Sequence, residues 1–513
     1  MPDLLAPARE RADRRRSAYR ADGFWTGDPI DVVAEAAARM PDADAVVDRD
    51  AGTVTYARLD ALVGRAARRL ARAGVGRDVP VLLIVGNDLG SVVAVHAATR
   101  VDAVVLVVAD NAGPAHIRDV VEGSAVRFAV APGRPVPDEV TDLLTVIDLE
   151  DEASSDGDDV VARRAGDDPS FVLFTSGTTS APKGVVHSLS TLQKASVNYI
   201  AGAELTSDDR IFLISPLSSV TGVLQALFVA PLLTIPVVLE ARWHPERSAQ
   251  WLTSQRCTWY GGPDRLLDTM LAATAAAGES TTLRAVFLGG TMLDDRIVRR
   301  AEEEFGIVVL RAYGSSEVPV STCGRRDDPA AVRHHHDGAP LDDVDVRIGS
   351  DLDPTECCIR GPHAFLGYTD PVATAALDDE WFHTGDAAEM VDGHLRIVGR
   401  LRDIVIRNGM KIPVAEVESA VNAIDGVRDC AAYSVPDDKT GERLAIAVVA
   451  DAAIPLARIS GALVDAGLPK YKIPEELVSW GEPLPVNANG KIDRKTLADL
   501  AAGRPVERAA RLG

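Results

Sequence analysis

From about Val32 to Val160, segments with helical spacing such as Tyr56 to Ala73 alternate with unbroken apolar runs such as Val79 to Val85 and Ala103 to Val108, each closed by Gly, Asn or Asp. Apolar residues on a 3.6-residue repeat build one face of a helix, whereas a short apolar run between turn formers suits a strand buried on both sides. Strand, helix and strand in succession predict parallel sheets covered by helices. The pattern resumes from Phe171 to Val309, with candidate strands at Phe171 to Phe174, Ile211 to Ser215, Ile235 to Leu239 and Val286 to Leu288.

From Val344 the texture changes to short strands and turns, at Asp345 to Ile348, Cys357 to Arg360 and His394 to Val398, which predicts a small β subdomain. A fresh unit starts after Asp403. It has a strand at Ile404 to Ile406, a helix at Val414 to Ala423, strands at Cys430 to Val435 and Leu444 to Ala450, and a final helix at Lys495 to Ala501. The expected fold is therefore α/β: a large N-terminal domain, 1–399, of layered, mostly parallel sheets with helices plus the β subdomain, and a smaller α+β C-terminal domain, 400–513. No Gly-Pro-rich spacer occupies Arg400 to Asp403, so a short hinge is expected there.

At 513 residues, with 46% hydrophobic and 25% charged, the chain can bury a sizeable core, and its length suggests about three structural units. The net charge of -22 argues against nucleic acid as a partner, because tracking phosphates needs a basic surface. Cys257, Cys323, Cys357, Cys358 and Cys430 contain no Cys-x-x-Cys pair, which fits a reducing compartment and disfavours a zinc site. No apolar segment backs the Arg-rich start, so no secretory signal is expected. The apolar stretch Val220 to Leu239 carries Gln225, Pro231 and Pro236, which points to a short buried helix and a strand rather than a membrane span. The expected setting is cytoplasmic.

Directly after the apolar run Phe171 to Phe174 comes Thr175-Ser176-Gly177-Thr178-Thr179-Ser180-Ala181-Pro182-Lys183-Gly184. A hydroxyl-and-glycine loop between a strand and a lysine is the layout of a phosphate cradle. Glycine lets backbone N–H groups come close to oxyanions, the hydroxyls add donors, and Lys183 brings a compact positive charge. The Walker A spacing is not matched.

With this loop the sequence resembles the adenylate-forming superfamily of acyl-CoA synthetases, adenylation domains and luciferases. Tyr313-Gly314-Ser315-Ser316-Glu317 is similar to that family's Tyr-Gly-x-Thr-Glu, and Trp381-Phe382-His383-Thr384-Gly385-Asp386 to its Thr-Gly-Asp segment. Gly399-Arg400-Leu401-Arg402-Asp403 resembles its Gly-Arg-x-x-Asp junction, and Asn489-Gly490-Lys491-Ile492 its C-terminal Gly-Lys motif. The resemblance implies ATP and Mg²⁺ as cosubstrate and metal, with Thr175, Ser176, Gly177, Thr178, Thr179, Lys183, Gly289, Gly290, Thr291, Ala312, Tyr313, Gly314, Ser316, Asp386 and Arg400 around the nucleotide.

Chemistry supports individual assignments. Glu317 is a hard oxygen ligand suited to Mg²⁺ on ATP phosphates. Asp386 can accept from both ribose hydroxyls and Arg400 can donate to the same sugar. Gly289-Gly290-Thr291 follows a strand and lets backbone press on the adenine ring, with Tyr313 stacking on the other side. Lys491 lies in the polar turn Asn487-Ala488-Asn489-Gly490. The resemblance gives it, with Glu317 and Lys183, a catalytic role: stabilising charge on the carboxylate and α-phosphate as the bond forms.

Two half-reactions need different surroundings at the acyl carbon. The resemblance implies that the C-terminal domain pivots near Arg402, exchanging Lys491 for the loop Arg407-Asn408-Gly409-Met410-Lys411, where Asn408 and Gly409 would line an acceptor tunnel. Position relative to the motifs places an acid pocket at Ser218, Val220, Tyr260, Gly289 and Val318. The segments Ala181 to His187 and Ile412 to Glu418 look most like CoA ligases for cyclic, aromatic or medium-chain acids. The implied partners are a small-molecule acid and CoA, or the phosphopantetheine of a carrier protein; activation of nitrous acid for attack by an aryl amine is an alternative. A monomer or homodimer is expected. His334-His335-His336 is expected to form a polar loop, because successive residues cannot face one ion, and Trp243-His244-Pro245 a strand-to-helix turn with Trp243 in the core.

Overall fold

The computed structural model describes residues 4–149, 160–175, 183–289, 295–378, 380–408, 410–437, 439–486 and 492–509. They form two compact units, one from Met1–Gly290, Asp295–Val346 and Ile359–Phe382, the other from Arg347–Cys358 and His383–Gly513.

The first unit is organised by two sheets. A seven-stranded sheet runs Gly367–Tyr368, Lys183–Ser188, Pro169–Thr175, Val104–Ala109, Pro80–Val85, Phe128–Val130, Thr145–Val146. The five strands from Pro169–Thr175 to Thr145–Val146 pair in parallel. Residues on Pro80–Val85 alternate between two cores: Val81, Leu83 and Val85 pack into the larger one, Leu82 and Ile84 into another with Leu5, Ala8, Ala12 and Trp25 of the N-terminal segment. Burial on both faces is why this strand reads as a continuous apolar run.

A nine-stranded sheet runs Ala339–Pro340, Thr322–Cys323, Val308–Tyr313, Ala285–Leu288, Trp259–Gly262, Ile211–Leu213, Val237–Leu239, Asp44–Asp48, Gly52–Thr55. Its central strands, Val308–Tyr313 to Asp44–Asp48, pair in parallel, and its outer strands are antiparallel. Open parallel sheets gather ligand-binding segments at the carboxyl ends of their strands. Here those ends lead to Ile214–Ser218, Gly262, Gly289 and Tyr313.

A four-stranded sheet, ordered Asp345–Ile348, Glu356–Arg360, Phe382–Val391 and His394–Arg400, carries the chain from the first unit into the second. In the second unit a larger sheet is covered on both sides. Leu444, Ile446 and Val448 of Gly441–Ala450 pack toward the helices Val414–Asn422 and Leu456–Asp465, whereas Ala445 and Ala447 pack toward the helix Arg494–Ala501.

The apolar stretch forms the expected buried helix and strand, the helix being π-helical over Val223–Val229 between the α-helical turns Val220–Gly222 and Ala230–Leu233. Two expectations are corrected. His334 and His335 lie on the helix Ala330–His335 rather than in a loop, and His334 Nε2 meets Glu302 at 3.0 Å. Trp243 is 38% exposed and does not fill core space. Among the described residues no helix is long and apolar enough to cross a membrane, and all five cysteines are buried and unbridged.

Candidate active site

Lys183 opens the strand Lys183–Ser188, which pairs antiparallel with Pro169–Thr175, so Thr175 stands opposite Lys183. The loop positions between them, Ser176, Gly177, Thr178 and Thr179 included, lie outside the described residues. Gly184 is required by close approach: a Cβ there would sit 2.7 Å from the Thr369 side chain. The segment leading into Thr369 is thereby held against this strand, with Tyr368 opposite Val185.

Tyr368 joins two of the expected site residues. The Lys183 Nζ lies 5.7 Å from the centroid of its ring, within the range of a cation–π attraction. Its hydroxyl donates to Glu317 Oε1 at 3.1 Å. Burial, then the charge of Glu317, pushes the phenol's pKa up, so it stays protonated and remains a donor. The other Glu317 oxygen accepts from the Ser315 hydroxyl at 2.9 Å, and the Phe365 N–H donates to the Glu317 carbonyl at 2.7 Å. Each carboxylate oxygen keeps a second lone pair for a cation. The donor set is all oxygen, which fits Mg²⁺.

The turn carrying Glu317 is tightly specified. A Cβ on Gly314 would lie 2.5 Å from the Val320 nitrogen, so only glycine fits. Val320 holds φ at 46°, a left-handed conformation that costs a β-branched residue roughly 1–3 kcal/mol. Ser316 is anchored from the strand Lys183–Ser188: His187, fully buried, donates from Nε2 to its carbonyl at 2.7 Å. Burial lowers the His187 pKa to about 4, so the ring is neutral and its Nδ1, 3.1 Å from the Thr191 hydroxyl, is an acceptor.

At the strand ends, a Cβ on Gly289 would come within 2.7 Å of the Ala312 carbonyl, which forces the two segments into direct backbone approach. Ala312 and Tyr313 are half-buried beside it, and Gly290 and Thr291 lie outside the described residues. Ser218 and Val220 are half-buried at the start of the helix capped by Ser219, whose hydroxyl accepts the Gly222 N–H at 3.1 Å. Val318 and Tyr260 are fully buried, and the Tyr260 hydroxyl donates to the Pro263 carbonyl at 2.7 Å. Tyr260 therefore offers no free donor. The π-helical segment Val223–Val229 follows Ser218 and Val220, a geometry often found at functional sites.

The second unit carries the remaining positions. Asp386 and Arg400 are cross-strand partners, with Arg400 Nε 2.9 Å from Asp386 Oδ1. Arg402 is exposed in the 3₁₀ turn Leu401–Asp403. Asn408 sits at φ 50° between the strands Ile404–Arg407 and Met410–Pro413, the backbone that a two-residue hairpin turn demands. Lys411 pairs with Asp353, and this contact together with Thr355 lowers the carboxyl's pKa to about 2. Gly409 and Lys491 lie outside the described residues.

Potential ligand atoms of Glu356, Cys358 and His383 lie within 4.8 Å of one another. The Glu356 oxygens are engaged by His383 Nδ1 at 3.0 Å and the Gly385 N–H at 3.2 Å, so hydrogen bonding already accounts for the grouping. Tyr368, His187 and Glu356 were not singled out from the sequence as site residues.

A family model described as AMP-binding enzyme matches residues 33–369, and one described as AMP-binding enzyme C-terminal domain matches residues 416–491. The chain is 28% identical over 523 residues to the medium-chain fatty-acid–CoA ligase of Escherichia coli, across 94% of this chain and 92% of that protein. It is 32% identical over 354 residues to a Mycobacterium tuberculosis CoA ligase for a propanoyl group on a methyl-dioxo-octahydroindenyl ring system, across 67% and 69%. In fold it is similar to o-succinylbenzoate CoA synthetase from Bacillus subtilis in complex with its acyl-adenylate intermediate, with a TM-score of 0.82 at 23% identity over 94% of this chain and 99% of that one.

Proposed function

Because this chain belongs to the family of AMP-binding enzymes, we propose that it condenses a carboxylic acid with ATP to give an acyl-adenylate and pyrophosphate, then transfers the acyl group to CoA. The observation that carries this reading is the Lys183–Tyr368–Glu317 arrangement: a cation and an oxygen-ligand carboxylate bracket one phenol where the strand after the hydroxyl-rich segment begins.

The roles follow from chemistry. Lys183 and the hydroxyl and N–H donors of Thr175, Ser176, Gly177, Thr178 and Thr179 hold the phosphates in line for displacement at the α-phosphorus. Glu317 would hold Mg²⁺, which when bound offsets phosphate charge. Asp386 and Arg400 take the ribose; the backbone at Gly289, Gly290 and Thr291, with Ala312, Tyr313, Gly314 and Ser316, takes the base and the phosphate end. The acid lies against Ser218, Val220, Tyr260 and Val318. Lys491 neutralises the charge that builds on the attacking carboxylate and the α-phosphate oxygens. A pivot of residues 400–513 near Arg402 then brings Asn408 and Gly409 to the acceptor path, which a glycine leaves open.

The relatives' substrates support an apolar medium-chain or cyclic acid. The test is pyrophosphate exchange into ATP over aliphatic, cyclic, aryl and amino-aryl acids, with nitrite as a further arm. Thioester formation is then followed with CoA or a carrier protein. Exchange that requires one organic acid, and thioester that requires CoA, supports the proposal. Exchange driven only by nitrite, or thioester only on a carrier protein, overturns the choice of acid or acceptor.

A further inference from the structure

We infer that Glu356 is a positioning residue for nucleotide recognition, its carboxylate aiming the Thr384-Gly385-Asp386 turn so that Asp386 meets the ribose. This rests on the proposal above that Asp386 is the ribose acceptor.

The turn is fixed at three consecutive residues by the neighbouring strand Glu356–Arg360. Glu356 Oε2 lies 3.0 Å from His383 Nδ1 and Oε1 accepts the Gly385 N–H at 3.2 Å. Between them the Thr384 hydroxyl donates to the Cys357 carbonyl at 2.8 Å and accepts the Asp386 N–H at 3.1 Å. Gly385 bends through φ 70°, a left-handed conformation that other residues resist, while a Cβ there would meet nothing. Conformation rather than space is therefore what demands glycine at the point where the chain turns toward Asp386.

Glu356 is only 4% exposed. A buried carboxylate is a costly way to fasten a turn unless each oxygen is satisfied, and here both are. Because the carboxylate only accepts, His383 must carry its proton on Nδ1. Although burial opposes ionisation, Ser350, His383 and the Gly385 N–H together hold the Glu356 pKa below the usual carboxylate range, so the brace stays charged at neutral pH. Asp386 follows directly and is itself 6% exposed, which leaves its carboxylate little freedom to reorient independently of the turn.

The experiment uses the full chain and compares kcat/KM in pyrophosphate exchange for ATP and for dideoxy-ATP, which lacks both ribose hydroxyls. Wild type should prefer ATP strongly. Glu356→Gln and Asp386→Asn should each shrink that preference by about tenfold or more, the scale of a lost hydrogen bond to a charged group. The KM for the acid should stay within about twofold, a split that general loosening of the fold would not give. His383→Ala should shrink the preference by about threefold and His383→Gln, which keeps a donor, should restore it. If Glu356→Gln does not fold, the His383 pair decides. Full discrimination in Glu356→Gln or His383→Ala, alongside its loss in Asp386→Asn, overturns the inference and leaves the ribose proposal standing. Full discrimination in Asp386→Asn removes both.

Discussion

Asp386 and Arg400 stand directly opposite each other on antiparallel strands, joined by a 2.9 Å contact between Oδ1 and Nε, with the carboxylate buried and the guanidinium half exposed. The arginine keeps other donors, which the proposed function assigns to the ribose. Arg400→Met, which keeps length and loses the fork, should raise the KM for ATP by about five- to tenfold and leave the acid's KM unchanged. Steady-state exchange kinetics at varied ATP checks this; a change confined to the acid's KM would contradict it.

Tyr368 holds Glu317 by one hydrogen bond and Lys183 by its ring, so two substitutions separate the effects. Tyr368→Phe keeps the ring and should cost about 1 kcal/mol, seen as a several-fold higher Mg²⁺ requirement. Tyr368→Leu removes both contacts and should add a rise in the KM for ATP. Rates measured across a Mg²⁺ series distinguish the two, and identical behaviour of both variants would refute a separate role for the ring.

Stability should fall in mild acid. Burial lowers the pKa of His187 and His96 from 6.5 to about 4 and that of His363 to about 3, so the folded chain binds fewer protons than the unfolded chain in that window. The contribution is complete above the unfolded value and is lost as pH drops toward the folded values. By about pH 5 His187 alone should remove on the order of 2 kcal/mol. Thermal melts from neutral to mildly acidic pH should show a steeper decline in wild type than in His187→Gln, which can still donate to Ser316. Parallel slopes would contradict the assignment.

Lys491→Ala should lower adenylation by about two to three orders of magnitude yet convert supplied acyl-adenylate to thioester at near wild-type rate. Gly409→Leu should do the reverse. Single-turnover assays of each half-reaction test the pair, and equal loss of both steps in either variant would refute the division of labour.

Much of the fold was legible because burial on both faces writes itself into sequence: the run Val79 to Val85, short and closed by a turn former, reads as a covered strand, and the strand Pro80–Val85 is buried on both faces. Glu317, Asp386 and Arg400 could be singled out because each stands in a short motif resembling one of the adenylate-forming superfamily, and their roles are those the proposal gives them. Tyr368 and His187 were not, since their meaning lies in contacts with residues 51 and 129 positions away. A signal did exist in the Gly367-Tyr368-Thr369 segment, because an aromatic next to a glycine invites a question about what it covers. The π-helical segment left no trace, since a stretch that is apolar but for Gln225 has no period to read. Trp243 misled because size suggests burial, yet a Trp beside a turn can lie on the surface.

The identity of the nucleotide product tests the central claim most directly. With its acid and CoA present, the enzyme should release AMP and pyrophosphate in equal amounts to the thioester formed, and neither without the acid. Release of ADP and phosphate, or ATP consumption that ignores the acid, would contradict the account.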